Sequence, residues 1–113
     1  MNPQDFYTRP ESDKGVKFPL EFPDGTQSDE WLTVVGVESS RYEKAHRATI
    51  KATLAGSDSL EQGDILLSAL VIDWSFEQEC TPEIVLDFLQ NAPYVKVSLD
   101  RFVVNRANFL KKK

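Results

Sequence analysis

The sequence predicts an α+β fold, mainly helical, in which an N-terminal β-hairpin packs on about four helices. The hairpin is indicated by a Pro-Asp-Gly-Thr turn at 23–26 followed by a run rich in β-branched residues at 31–37. Segments that carry helix-start signals and helical apolar spacing then follow one another to the C-terminus. With 113 residues, of which 41% are hydrophobic, the chain has the size of one domain and can bury one core.

The N-terminal part of the chain divides into an arm and a hairpin. The first 15 residues are polar and contain two prolines and a glycine, which predicts a flexible arm over 1–15. A single domain is expected over 16–110, and it begins with the hairpin at about 16–37. Pro19 restricts the first strand to a sheet edge, because proline has no N–H to donate. An isolated hairpin is marginally stable, so this one must pack on the helices.

Each predicted helix has its own start signal. Ser39 or Ser40 opens the first long helix, and Ser40 with Glu43 fits a capping box. The run Ser57-Asp58-Ser59 offers the next N-cap, Thr81 precedes a proline at the first helical position, and Asn91-Ala92-Pro93 ends that helix and starts the last one. The segment from Leu60 to Trp74 contains a run at 65–72 that is apolar almost all round, and the length of the segment and its Leu and Ala content favour helix over strand. The helices are therefore expected at about 40–54, 59–74, 82–90 and 94–110, followed by a basic C-terminal tail at 111–113.

The predicted core uses one face of the last helix and both tryptophans. Trp31 and Trp74 are expected to be substantially buried. Helical spacing gives the last helix one broad apolar stripe, which consists of Val95, Leu99, Phe102, Val103, Phe109 and Leu110.

The sequence carries no catalytic or cofactor signature. It has no glycine-rich phosphate loop, GxSxG or HExxH motif, and its one cysteine and one histidine cannot form a zinc site. A formal net charge of −5 disfavours nucleic-acid binding. The longest apolar run, at 65–72, is far shorter than the ~20 residues of a membrane span, and no signal peptide begins the chain. We therefore expect a cytoplasmic, non-enzymatic protein without cofactor, metal, nucleic-acid or membrane partner.

Charge is distributed unevenly along the chain. Helical spacing places four cations on one side of the first long helix, a basic ridge that consists of Arg41, Lys44, Arg47 and Lys51. No lysine or arginine occurs from residue 52 to 95, where an acidic stretch includes Asp73, Glu77, Glu79, Glu83 and Asp87. The two regions either neutralise each other within one monomer or meet between copies or with a partner.

The last helix carries apolar residues opposite its core stripe. Val97 and Val104 lie seven residues apart, and Tyr94, Arg101 and Asn108 lie near them. The two valines are either ordinary surface residues or part of a contact surface for a partner or another copy. The second interpretation predicts a partner-binding set of Tyr94, Val97, Arg101, Val104 and Asn108.

Three motifs resemble the tail assembly chaperones of long-tailed bacteriophages. They are the Asp-Gly turn before Trp-Leu-Thr-Val at 31–34, the leucine-rich segment ending in Trp-Ser-Phe at 74–76, and the proline-bounded helix that leads to Arg-Ala-Asn-Phe at 106–109. The resemblance spans 23–110. It implies a non-catalytic phage or prophage protein that keeps the helical tape-measure protein soluble while major tail (tube) subunits polymerise around it.

The resemblance also implies absence from the finished virion and a longer frameshifted product, with which the lysine codons at 111–113 are compatible. Two alternatives stay open at this point. One is a permanent small tail or neck protein of the virion, and the other is an unrelated small regulator encoded by a prophage. Presence in purified virions separates the first alternative from a chaperone.

Overall fold

The computed structural model describes residues 1–110, and its architecture confirms the mainly helical α+β fold with a hairpin packed on helices. The predicted basic tail at 111–113 lies outside the described residues. The elements in chain order are helix α1 (Arg9–Lys14), strands β1 (Val16–Glu21) and β2 (Gln27–Val34), helices α2 (Ser40–Leu54) and α3 (Ser59–Ala69), strand β3 (Val71–Trp74), and helices α4 (Pro82–Asn91) and α5 (Pro93–Val104).

The hairpin forms as predicted, with β1 antiparallel to β2 and Phe18 opposite Leu32. Its turn is held by the Asp24 carboxylate, which accepts hydrogen bonds from the backbone N–H and the hydroxyl of Thr26 at 3.0 and 2.7 Å. These two bonds lower the pKa of Asp24. Gly25 supplies a positive φ of 90°. As its proline requires, β1 lies at the edge of the sheet.

The prediction of one helix over 59–74 is wrong at its C-terminal end. The helix stops at Ala69, and Val71–Trp74 form β3, which pairs antiparallel with β2. Local composition favours helix for the whole segment, but the second edge of β2 offers unpaired backbone groups. The β-branched Val71 and Ile72 suit that edge, and β2 becomes the centre of a three-stranded sheet.

The prediction of a last helix over 94–110 is also too long. Helix α5 ends at Val104, and a short 3₁₀ helix follows at Arg106–Asn108. The side-chain amide of Asn108 donates to the carbonyl of Phe102 at 2.8 Å, which caps the end of α5. Because the chain turns here, Leu110 is 44% exposed and does not belong to the core stripe.

Residues 1–15 contain secondary structure where a flexible arm is expected. A 3₁₀ helix covers Pro3–Phe6, and α1 follows. The Asp13 carboxylate accepts hydrogen bonds from the backbone N–H and hydroxyl of Ser40. Of the two serines predicted to open α2, Ser39 is the N-cap, since its hydroxyl accepts from the N–H of Tyr42.

The core lies between the sheet and the helices. Trp74 is 7% exposed and Trp31 is only half-buried. Val85 and Leu89 of α4 are fully buried. On α5 the stripe buries Val95, Leu99 and Val103, with Phe109 beyond the helix and Phe102 partly buried.

Candidate partner-binding surfaces

The outer side of α5 is exposed, opposite the buried stripe. Val97 is 51% exposed and Val104 is 58% exposed. The Arg101 side chain lies in solvent between them, and the Tyr94 hydroxyl donates to the carbonyl of Glu21 on β1 at 2.7 Å. We call Tyr94, Val97, Arg101 and Val104 the outer face of α5. The contact with Glu21 fixes the ring of Tyr94 beside the edge of the sheet.

Asn108, the fifth residue of the predicted partner-binding set, has a different position. It follows the end of α5, in the 3₁₀ helix, and its amide is used to cap Phe102. The helical spacing that groups it with Val97 and Val104 therefore does not apply.

The basic ridge lies on the exposed side of α2, but part of it is occupied within the monomer. Arg41 donates to the backbone carbonyl of Ala69 at the end of α3. Arg47 forms an ion pair with Glu43 at 2.6 Å, and Arg9 pairs with the same carboxylate at 2.7 Å. Within residues 1–110, Lys44 and Lys51 make no ion pair.

Part of the acidic stretch borders an aromatic groove that sequence reasoning did not identify. Glu83 and Asp87 line a groove of about 620 Å³ beside α4. Its floor is a cluster of three rings in which Trp74 lies 5.1 Å from Phe76 and 5.9 Å from Phe88 between centroids. Asp73, Glu77 and Glu79 are exposed nearby in the chain, on β3 and the loop that follows it. Sequence reasoning missed the groove because Trp74, Phe76 and Phe88 do not repeat at a regular spacing that could be recognised in the sequence.

Cys80 is partly buried and lies within the acidic stretch, directly after Glu79. Partial burial, followed by the charge of Asp73, raises the pKa of its thiol, and Arg41 opposes both effects. A raised pKa is typical of an unreactive thiol, because less of it is present as the thiolate.

Self-association through the basic ridge and the acidic stretch stays a prediction. If copies associate head to tail through these charges, raising the salt from about 0.05 to about 0.5 M should dissociate them, because exposed ion pairs are weak and screened. Sedimentation velocity at both salt concentrations measures this. An unchanged monomer in both would contradict it.

A second apolar surface, also missed from sequence, lies on α2 and α3. Leu54 and Leu60 are 83% and 81% exposed, and Ile50 is 47% exposed. Helical spacing relates Ile50 to Leu54, but the sequence does not show that the rest of the domain leaves this part of α2 uncovered.

Comparison with protein-family models, curated proteins and solved structures finds no significant match to this chain. Within the described residues, no helix is both long and apolar enough to cross a membrane. The same residues contain no group of three His, Cys, Asp or Glu side chains placed to hold a metal ion.

Proposed function

We propose that this chain is a bacteriophage or prophage tail assembly chaperone, a non-catalytic protein of the host bacterial cytoplasm. In this role it binds and solubilises the tape-measure protein while the tail tube assembles. The motifs at 31–34, 74–76 and 106–109 support this function by resemblance.

The observation that carries the proposal is the outer face of α5. Val97 and Val104 are each more than half exposed, and the opposite side of α5 is buried. The two valines therefore provide apolar surface that does not belong to the core. A long helical client can pack its own apolar stripe against such a surface. Tyr94 and Arg101 beside the valines are of the residue types that dominate binding energy at interfaces.

Replacing both valines with aspartate should abolish client capture without unfolding the chain. Val97→Asp with Val104→Asp puts two carboxylates where the client would desolvate them, which costs on the order of several kcal/mol and weakens binding roughly a hundredfold. The measurement is the soluble, co-purified fraction of the tape-measure protein from the same phage genome after co-expression, together with a thermal melt of the variant alone.

Two controls separate binding from folding. Ala48→Asp with Gln90→Asp adds the same charge at exposed helical positions away from α5 and should leave capture intact. Phe102→Ala removes ring contacts to Phe18 and Phe109 at 5.0 and 5.8 Å, so it should destabilise the fold by about 3 kcal/mol. If the double aspartate variant melts normally and still solubilises the client, this face is not the binding surface.

The alternative of a permanent tail or neck protein is tested on purified virions. A chaperone should be absent from them by quantitative mass spectrometry, whereas a structural subunit should be present at a fixed ratio to the major tail protein. A fixed ratio would overturn the chaperone proposal.

A further inference from the structure

The aromatic groove beside α4 has an apolar floor and an acidic wall, and α4 supplies part of both. Ile84 and Phe88 are partly buried and pack against the core, whereas Glu83 and Asp87 are exposed. Residues four apart lie on the same side of a helix, with about 6 Å between their Cβ atoms. The two carboxylates therefore form a row of negative charge along α4, beside a parallel row of apolar side chains.

A second groove, of about 180 Å³, continues this surface on the hairpin side of Phe76 and Phe88. These two rings line both grooves and lie 5.4 Å apart between centroids. The other residues of the second groove come mainly from the hairpin and the start of α5, and they include Glu21, Phe22, Glu30 and Tyr94. We call the two grooves together the acidic aromatic surface.

Every charged residue that lines the acidic aromatic surface, within the part of the chain that the structure describes, is an acid. These residues are Glu21, Glu30, Glu83 and Asp87. Within residues 1–110 none of their carboxylates forms an ion pair. The Glu30 carboxylate accepts from the Ser75 hydroxyl and that of Asp87 from the Asn91 amide, but neither donor carries a charge. The negative charge is therefore uncompensated and attracts a cationic partner.

We propose that the acidic aromatic surface binds an amphipathic helix of a partner protein that carries lysine or arginine four residues apart beside an apolar stripe. The apolar stripe packs on Ile84 and Phe88. The two cations meet Glu83 and Asp87, because side chains four residues apart have the same spacing on both helices. Lysine and arginine suit this surface, since their apolar stems can pack along the rings while their charged ends reach the carboxylates. The site is distinct from the outer face of α5, with which it shares Tyr94.

The basic ridge of a second copy matches this surface less well than a separate partner does. Arg47 and Lys51 have the required spacing, but Arg47 is paired with Glu43 at 2.6 Å. Within residues 1–110 Lys44 and Lys51 make no ion pair. They are seven residues apart, which is about 10 Å along a helix rather than about 6 Å. A second copy therefore cannot place two unpaired cations of α2 on Glu83 and Asp87 together.

The first test measures binding of a helical peptide to the full chain by fluorescence anisotropy. The probe is a fluorescein-labelled peptide of about 18 residues, or about 27 Å of helix, made of leucine, alanine and lysine with the lysines four residues apart beside a leucine stripe. The chain should bind it with a Kd on the order of 10–100 µM, because exposed ion pairs each contribute little. A peptide with glutamate in place of every lysine should not bind. A lysine peptide that fails to bind at about 1 mM protein would overturn the proposal.

Charge variants separate the acidic wall from the net charge of the protein. Glu83→Gln with Asp87→Asn should weaken binding of the lysine peptide about fivefold. The matched control is Glu61→Gln with Asp100→Asn, which removes the same charge at exposed positions that line neither groove. Glu61, like Glu83, lies in the first turn of its helix. The control should bind like wild type, and equal weakening by both pairs would overturn the proposal.

An aromatic pair tests the second groove. Phe22 is 54% exposed, so Phe22→Ser removes its ring without opening the core, and it should weaken peptide binding about threefold. Phe6→Ser is the control, because Phe6 is 71% exposed and lines neither groove. Equal binding by the two variants would contradict a site that includes the second groove.

The two tryptophans report where the peptide binds in heteronuclear NMR of the labelled chain. The Trp74 indole N–H donates to the carbonyl of Gln78, and both residues line the aromatic groove. Trp31 lines neither groove. The lysine peptide should therefore shift the indole signal of Trp74 and leave that of Trp31 in place. A shift of the Trp31 signal alone would overturn the proposal.

Sedimentation equilibrium distinguishes a partner helix from a second copy. Glu83→Gln with Asp87→Asn should leave the association state of the chain unchanged while it weakens peptide binding. If that variant instead dissociates wild-type oligomers and binds the peptide normally, the occupant is a second copy and the proposal fails.

Discussion

Replacing Trp74 with alanine should lower the free energy of unfolding by about 3–5 kcal/mol. The side chain is 7% exposed and stands opposite Leu32 in the sheet. It makes edge-to-face contacts with Phe76 and Phe88, and its indole N–H donates to the carbonyl of Gln78 at 2.7 Å. Alanine would leave a cavity between β3 and α4 and would leave that carbonyl without its donor.

The matched control is the other tryptophan. Trp31 is half-buried, and Lys17 Nζ lies 4.4 Å from the centroid of its ring. Trp31→Ala should therefore lower the free energy of unfolding by clearly less than Trp74→Ala, about 1–2 kcal/mol. Urea unfolding followed by far-ultraviolet circular dichroism measures both variants. Equal losses would mean that the ring cluster around Trp74 does not stabilise the domain beyond ordinary surface burial.

The parts of the fold that could be predicted are those with a local physical cause. The Asp24-Gly25 turn, the bounds of α2 and the cap of α4 at Thr81 depend on residues within a few positions of one another. Short-range hydrogen bonds and backbone preferences are visible in a sequence. The same holds for the outer face of α5, whose exposure follows from helical spacing alone.

The parts that could not be predicted depend on distant partners. Strand β3 exists because β2 has an open edge, and β2 is about 40 residues earlier in the chain. The end of α5 is set by Asn108 folding back on Phe102. The exposed apolar surface at Ile50, Leu54 and Leu60 could not be predicted either, because the spacing within α2 does not show that the rest of the domain leaves the helix uncovered.

Gly36 shows how the two ends of the chain depend on one position. A Cβ at Gly36 would lie 2.5 Å from the Ser12 hydroxyl oxygen and 3.0 Å from two carbons of the Phe109 ring. Ser12 is 3% exposed and Phe109 is 6% exposed, so neither has room to withdraw. Directly after this glycine, the Val37 N–H donates to the carbonyl of Val103, and Glu38 binds Arg106 through two hydrogen bonds of 2.8 and 3.0 Å.

Gly36→Val should therefore destabilise the domain by about 3 kcal/mol, because the new side chain must displace α1, Phe109 or both. The structure provides a glycine control of opposite sign. A Cβ at Gly63, inside α3, meets no atom within 4 Å, so Gly63→Ala should stabilise by about 0.5–1 kcal/mol through helix propensity. Both are measured by urea unfolding at a few micromolar, with protease sensitivity of residues 1–15 as a second readout. If Gly36→Val unfolds like wild type and α1 stays protected, the N- and C-terminal segments do not meet at Gly36 in solution.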